Sequence, residues 1–542
     1  MKVQLAIQIV FFCTIFCKAQ APMLVHDANP DLQPAHCSKV GDEVYFAAWE
    51  NLSWQPWKSD GTDGGTVRIK DIVGGSAGFD KFVEMNGVAF FYATTPNSGK
   101  ELWRTDGSPA GTYMIKDINP GSTDGAGGVT PVVFNNRVYF AADNGLQGME
   151  LWSTDGTEAG TTFVDVIAGQ DGSNPDQLTV LNGVLYFVAE GLSFWSIPNG
   201  VIIINDREIF KTDGTAAGTT PVNAPLFDNA YRKPLALTVF QNNLYFTAEA
   251  ANFQDGRELW KSDGAALGTT RVKNIHPVNG VEAIGQIYGL FPTDNYLFFP
   301  ADDNVHGREL WLSDGTEAGT VMALDLDPGL PGSINQMIAS TSDKVFFSRY
   351  QNNEFVIYAS DGTAAGTVNL QQKGQLPAHI VVNNKLIFTS HDNTNFWAIW
   401  QSDGTLAGTT LLADVDGALD QLNSPSQFAS VNGALFFRAN DGVHGNELWK
   451  MDLVVGVKEQ LTLSGPKVFP NPASGSFTLT LARNGLSGSM RVFSASGIEV
   501  FNRFFEGNTV EIDCPNWPAG LYFLQIWDSD QNAFFCEKIQ IN

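Results

Sequence analysis

Glu150-Leu151-Trp152-Ser153-Thr154-Asp155-Gly156-Thr157-Glu158-Ala159-Gly160-Thr161 is a segment that this chain writes many times over. Its core returns as Glu101-Leu102-Trp103-Arg104-Thr105-Asp106-Gly107, as Glu258-Leu259-Trp260-Lys261-Ser262-Asp263-Gly264 and as Glu309-Leu310-Trp311-Leu312-Ser313-Asp314-Gly315. Weaker copies place their aspartate at Asp60, Asp213, Asp361, Asp403 and Asp452, and neighbouring aspartates lie 42 to 58 residues apart. A period of this length signals a propeller or a related array, whose single unit cannot bury its apolar face alone.

Each unit reads as four strands. Runs such as Val44-Tyr45-Phe46-Ala47, Val138-Tyr139-Phe140-Ala141 and Leu244-Tyr245-Phe246-Thr247 are β-favouring and apolar at successive positions. Such strands are covered on both faces, which radially stacked blades provide and a two-sheet sandwich does not. In the unit that ends at Asp213, Leu178–Leu181 and Val184–Ala189 are expected to pair across Asn182-Gly183, a tight-hairpin dipeptide. The Glu-Leu-Trp strand follows, and a fourth strand begins after Gly-Thr, as in Tyr113–Ile118. In Asp-Gly-Thr-x-Ala-Gly-Thr the aspartate caps backbone N–H groups, glycine supplies positive φ and threonine starts the next strand, so the motif reads as turn chemistry. The last unit lacks a fourth strand. Val25-His26-Asp27-Ala28-Asn29-Pro30 matches Ile115-Lys116-Asp117-Ile118-Asn119-Pro120 and is expected to supply it. The expectation is therefore an all-β chain with a large β-propeller of nine four-stranded blades. Eight blades with one degenerate unit, or two smaller rings, fit the same spacing.

The chain has 542 residues, 43% of them hydrophobic, with 54 glycines. Its 32 Lys and Arg against 58 Asp and Glu give a net charge of −26, which excludes nucleic acid and anionic membranes as natural partners. Met1-Lys2 and the apolar run Leu5–Phe16 have the form of a secretory signal peptide over residues 1–19, cut after Ala19. Cys13 follows Phe12 and Cys17 follows Phe16, so neither has the small preceding residue that lipidation needs. No other stretch is long and apolar enough to cross a bilayer. Of the remaining cysteines, Cys514 and Cys536 are expected to form a disulfide, leaving Cys37 as a small buried hydrophobe.

The recurring Glu-Leu-Trp-x-x-Asp-Gly-Thr resembles the ELWxxDGT repeat family of exported bacterial proteins over residues 20–455. A linker follows at 456–466. Lys467-Val468-Phe469-Pro470-Asn471-Pro472, with Val492-Phe493-Ser494-Ala495-Ser496-Gly497 and Pro518-Ala519-Gly520-Leu521-Tyr522-Phe523, resembles the type A C-terminal sorting domain of type IX secretion cargo over residues 467–542. That resemblance implies passage across the outer membrane, cell-surface display and the type IX machinery as partner. The region's own alternation of short strands and Gly/Pro turns suggests an immunoglobulin-like β-sandwich.

Chemistry is sparse. Gly74-Gly75-Ser76-Ala77-Gly78 matches a nucleophile-elbow pattern but sits in a β unit, not at a strand-to-helix turn. Asp143, Asp302, Asp303 and Asp441 lie in oxygen-rich hairpins that could hold calcium, without the full spacing of a calcium loop. A consensus builds scaffold, so function is sought where the repeat breaks. The inserted segment around Phe194 and Trp195 is apolar and aromatic, and His391, Asp392, Asn395 and Trp397 mix polar groups with aromatic faces as sugar sites do. The leading expectation is a non-enzymatic surface module binding glycan, matrix or protein. The alternatives are an extracellular polysaccharide-degrading enzyme on a propeller scaffold and a purely structural surface protein.

Overall fold

The computed structural model describes residues 22–28, 31–50, 52–72, 81–164, 166, 172–197, 200–222, 231–250, 256–276, 283–284, 289–326, 328, 332, 334–374, 378–390, 397–414, 425–453, 467–480, 487–494, 499–507, 509–528 and 533–542. The chain divides into two compact units, Met1–Leu453 and Val454–Asn542. Among the described residues the first unit holds nine four-stranded antiparallel sheets, and one 3-10 turn, Ala266–Gly268, is the only helical element. No helix among them is long and apolar enough to cross a membrane.

The third sheet shows how sequence makes each one. Its strands are Val132–Phe134, Arg137–Asp143, Met149–Thr154 and Thr162–Val164, side by side in chain order. Asn135 and Asn136 take φ of 47° and 58°, the left-handed pair that a tight hairpin needs and asparagine tolerates. Val138 to Ala142 are all buried, as expected for a strand covered on both faces. Phe140 pairs with Trp152 across the central ladder.

Nine apolar clusters lie between consecutive sheets. One joins Tyr45, Phe91 and Trp103 of the first and second sheets, and another joins Phe436 and Leu448 of the ninth sheet to Val44 and Phe46 of the first. The first strand of every sheet also touches that of the next, and Ser426–Val431 of the ninth touches Ala35–Val40 of the first. The ninth sheet takes its fourth strand from the far end of the unit. Met23–His26 pairs antiparallel with Glu447–Asp452, Leu24 opposite Trp449.

Two sequence expectations about strand length are corrected. The fourth strand of the second sheet is Tyr113–Met114 and does not run on to Ile118, because buried Glu101 draws the Ile118 and Asn119 amides away from the ladder. Val184–Ala189 is part of a far longer strand, Val184–Ile197, paired in continuous register with Gly200–Thr212.

The second unit has a three-stranded sheet of Lys467–Phe469, Ser476–Thr480 and Thr509–Asp513, and a four-stranded sheet ordered Glu499–Glu506, Ser487–Ser494, Gly520–Asp528, Ala533–Ile541. Phe477 and Ile512 of one share a core with Met490, Leu524 and Ile539 of the other. Cys514 is a free, buried thiol, which corrects the expected bridge to Cys536. Cys514 follows the last strand of the three-stranded sheet and gives its amide to Gly475, whereas Cys536 pairs with Gln525 in the other sheet. The Cys536 side chain lies outside the described residues. Cys37 is buried and free, as expected.

Candidate functional site

The repeated motif is occupied by its own fold. Asp155 Oδ1 accepts from the Thr157 amide at 2.9 Å and the Thr157 hydroxyl at 2.7 Å, and Thr157 Oγ1 accepts from the Gly160 amide. Thr154 and Thr161 join hydroxyls at 2.7 Å, tying the end of the third strand to the start of the fourth. The same bonds recur around Asp60, Asp106, Asp213, Asp314, Asp361 and Asp403. The Thr157 hydroxyl and amide hold the Asp155 carboxyl below the usual carboxylate range. Each turn also meets the preceding sheet. Gly315 has φ of +88°, a Cβ there would stand 2.1 Å from the Tyr245 hydroxyl, and Lys261 Nζ donates to the Gly315 carbonyl at 2.8 Å.

The motif's glutamate is equally committed. Glu101 is fully buried and its Oε1 accepts the Ile118 and Asn119 amides at 3.0 and 3.2 Å. Glu258 receives Ile275 and His276, and Glu447 receives Ala28 and Leu32 beyond the N-terminal strand. Burial pushes the Glu101 carboxyl up to about 8 against the pull of those two amides, with Asp117 and Asp124 adding to the rise. Burial lifts Glu447 to about 8 likewise. Perturbed carboxylates are candidates for acid–base chemistry, but these have no access to a substrate and serve as loop caps.

The seventh sheet breaks this pattern. Its strands are Ile334–Ser340, Val345–Gln351, Glu354–Ser360 and Val368–Lys373, and Val356 stands where six of the sheets have the glutamate and the first and eighth have Gln55 and Ala398. Here the fourth strand runs on: Gly374 donates to the Phe355 carbonyl, while Ser390 of the eighth sheet takes the Lys373 amide and donates to its carbonyl. The hairpin closes in two residues, Asn352 and Asn353, with φ of 50° and 64°. The result is a shallow cleft of about 240 Å³ lined by Gln351, Asn352, Glu354, Val356, Asn369, Gln371 and Lys373. Asn369 Nδ2 donates to the Tyr358 hydroxyl, which donates to Gln351 Oε1, both at 3.1 Å. Lys373 Nζ meets Glu354 Oε1 at 2.8 Å, and the Arg349 guanidinium stands 5.0 Å over the Tyr358 ring. Carboxamides donate and accept at once, as hydroxyl-rich ligands require. Motif reading passed this site by, though Val356 in place of glutamate, beside Asn352-Asn353, was its signal.

The residues singled out from the sequence fall elsewhere. Phe194 and Trp195 lie in the strand Val184–Ile197, opposite Ile203 and Ile202, with their side chains outside the described residues. His391, Asp392, Asn395 and the Gly74–Gly78 pattern are also outside them. Trp397 is half-buried, with φ of 43°, just before the strand Ala398–Ser402. Asp143, Asp302, Asp303 and Asp441 turn their oxygens onto their own loops. Asp303 Oδ1 accepts the Val305 and His306 amides and its Oδ2 meets His306 Nδ1 at 2.8 Å, an arrangement repeated by Asp441 with Val443 and His444. Asp143 accepts the Gly145 amide and Asp302 that of Asn304. No group of three or more metal-ligating side chains occurs among the described residues.

Residues 467–542 match the family model of the secretion system C-terminal sorting domain, a type IX sorting domain, which supports export to the cell surface. The endo-acting ulvan lyase of Formosa agariphila is 30% identical over 112 residues, 20% of this chain and 21% of that protein. The chain thus spans about a fifth of the length of the curated relative it matches. Among solved structures, puromycin hydrolase aligns at 13% identity over 78% of this chain and 61% of its own, with a TM-score of 0.37. The oligogalacturonate lyase of Vibrio parahaemolyticus aligns at 11% identity over 69% and 98%, with a TM-score of 0.35.

Proposed function

We propose that this chain is an exported, non-enzymatic β-propeller of nine blades that binds a neutral extracellular glycan in the cleft of its seventh sheet, with an immunoglobulin-like sandwich as its sorting domain. The succession of first-strand contacts from sheet to sheet, with the ninth against the first, supports the ring. The observation that carries the ligand class is the lining of the cleft: four carboxamides and one lysine–glutamate pair, with Val356 as the apolar residue among them. Carboxamides satisfy hydroxyls that both give and take hydrogen bonds, and a shallow opening suits one unit of a long chain. The internally neutralised charge of the cleft, on a chain of −26, favours a neutral sugar over a polyanion.

A glycan array followed by titration calorimetry tests the reading on the full chain. Each lost hydrogen bond is worth about 0.5–1.5 kcal/mol, so Gln351→Ala or Asn369→Ala should weaken a neutral-glycan hit roughly 2- to 12-fold. Affinity unchanged in both variants removes the cleft from the reading. The ulvan lyase relative supports a second reading, a polysaccharide-cleaving enzyme. A fall in viscosity of a polysaccharide solution incubated with the pure protein would select it.

A further inference from the structure

The joint between the ninth and first sheets holds a cation without a counter-ion. Arg438 lies in the second strand of the ninth sheet, Ala434–Ala439, opposite Leu448. In each of the other eight sheets the residue at that place is uncharged: alanine, tyrosine, valine, threonine, proline or serine. Strand alternation turns Arg438 to the same face as Phe436, which packs against Val44 and Phe46 of the first sheet. Its side chain is half-buried, and among the described residues its guanidinium makes no hydrogen bond or ion pair. Burial depresses the guanidinium from its ordinary arginine value. The group that opposes the fall is Cys37, a thiol that burial pushes up to about 12 and so keeps neutral.

Directly opposite Arg438, on the first strand of its sheet, is Ser426, and cross-strand partners share a face. Ser426 Oγ is buried and has no hydrogen-bond partner. Buried polar groups are ordinarily satisfied, so two donors on one face with no acceptor mark a place for one. The strand is bulged here: Gln427 takes φ of 61° and its Oε1 accepts the His36 amide of the first sheet at 2.8 Å, which braces the joint. The fourth sheet makes a similar bulge at Gln177, whose Oε1 accepts the Leu237 amide. There the residue opposite Val188 is Asp176, and that carboxylate has its own cation in Arg207 at 3.7 Å. The ninth sheet supplies the cation and no carboxylate.

We infer that Arg438 and Ser426 bind the carboxylate of a small organic or sugar acid brought from outside the chain. A planar guanidinium pairs two N–H groups with a carboxylate, and the Ser426 hydroxyl donates a third bond. A carboxylate carries one charge, which Arg438 cancels, whereas a dianion such as sulfate brings a surplus to a chain of −26. The inference goes beyond the neutral-glycan reading and does not rest on it.

Titration calorimetry on the full chain at pH 7, with galacturonate, acetate and sulfate as probes, tests it. Both carboxylates should bind with saturable heat, and sulfate more weakly than either. Arg438→Gln should weaken galacturonate at least about tenfold and Ser426→Ala roughly 2- to 12-fold. A neutral-glycan hit from the array should bind Arg438→Gln as it binds wild type, which separates this site from the cleft. Without ligand, Arg438→Gln should keep or raise the urea midpoint, because it removes an unpaired half-buried charge. Galacturonate should then raise the midpoint of wild type and not that of the variant. Galacturonate binding tighter than acetate assigns a sugar acid, and equal affinities assign a simple organic acid. The inference is overturned if wild type gives no saturable heat with either carboxylate, or if sulfate binds tighter than both. It is overturned equally by unchanged galacturonate affinity in the two variants, or by a lower ligand-free midpoint in Arg438→Gln, which would make the guanidinium part of the joint itself.

Discussion

Glutamine already stands where other sheets carry the buried glutamate. Gln55 Oε1 accepts the Ile72 amide at 2.7 Å, as Glu101 accepts those of Ile118 and Asn119. Glu447→Gln therefore keeps the acceptor and removes the ionisable group. Burial raises Glu101 and Glu447 from 4.5 to about 8, so between those limits the folded chain keeps protons that the unfolded chain has released. Stability from this source is complete below about pH 4.5 and drains as pH rises to 8. At about 1.36 kcal/mol per pH unit this is on the order of 4–5 kcal/mol for each glutamate. In urea unfolding of the full chain, Glu447→Gln should match wild type near pH 4.5 and pull ahead progressively toward pH 8. Glu101→Gln should add to it nearly independently, since the second and ninth sheets share no partner. The aspartates held low, such as Asp155 and Asp441, lose their contribution only on the acid side of this window. His306 and His444, raised by their bonds to Asp303 and Asp441, lose theirs as pH climbs through neutrality. The decisive quantity is therefore the difference between wild type and glutamine variants. Equal pH slopes from 5 to 8 in all of them refute the capping argument.

Gly315→Ala places a Cβ 2.1 Å from the Tyr245 hydroxyl and a side chain at φ of +88°. Left-handed strain of ~1–2 kcal/mol and overpacking of ~1–3 kcal/mol should cost about 2–5 kcal/mol in urea unfolding. Tyr245→Phe in the same chain should recover the overpacking part, and a cycle without coupling refutes the inter-sheet contact. Chelator should leave the melting temperature unchanged, because the amides of Val305, His306, Val443 and His444 already use the Asp303 and Asp441 oxygens; a fall on chelation contradicts this. Burial pushes the Cys37 thiol up to about 12, so a thiol reagent should modify it only in denaturant, and rapid modification of the native chain would exclude its burial.

Much of the architecture was legible in the chain. Adjacent apolar residues such as Val138-Tyr139-Phe140 announced strands covered on both faces, Asn182-Gly183 marked a hairpin, and Val25–Ala28 identified itself as a displaced fourth strand by its likeness to Ile115–Ile118. The short fourth strand of the second sheet was not legible, because it is ended by Glu101, whose amide partners lie seventeen and eighteen residues further on. The cleft was hidden for a different reason. It arises from a missing cap at Val356, and an absence has no motif of its own. The bridge expected between Cys514 and Cys536 rested only on their sharing one small domain, and Cys514 is a free, buried thiol.

The ninth sheet has a consequence in time. Its fourth strand, Met23–His26, is made before every other described strand, and its partner Glu447–Asp452 emerges more than 400 residues later, the separation recorded by the Glu447 bonds to Ala28 and Leu32. At about 5–20 residues per second, synthesis keeps that strand waiting for roughly 20–80 seconds. Eight sheets can form meanwhile, and the ninth cannot. The sorting domain lies later in the chain than this last strand, so a chain cut short before Glu447 lacks both the partner of its N-terminal strand and the address that sends it out.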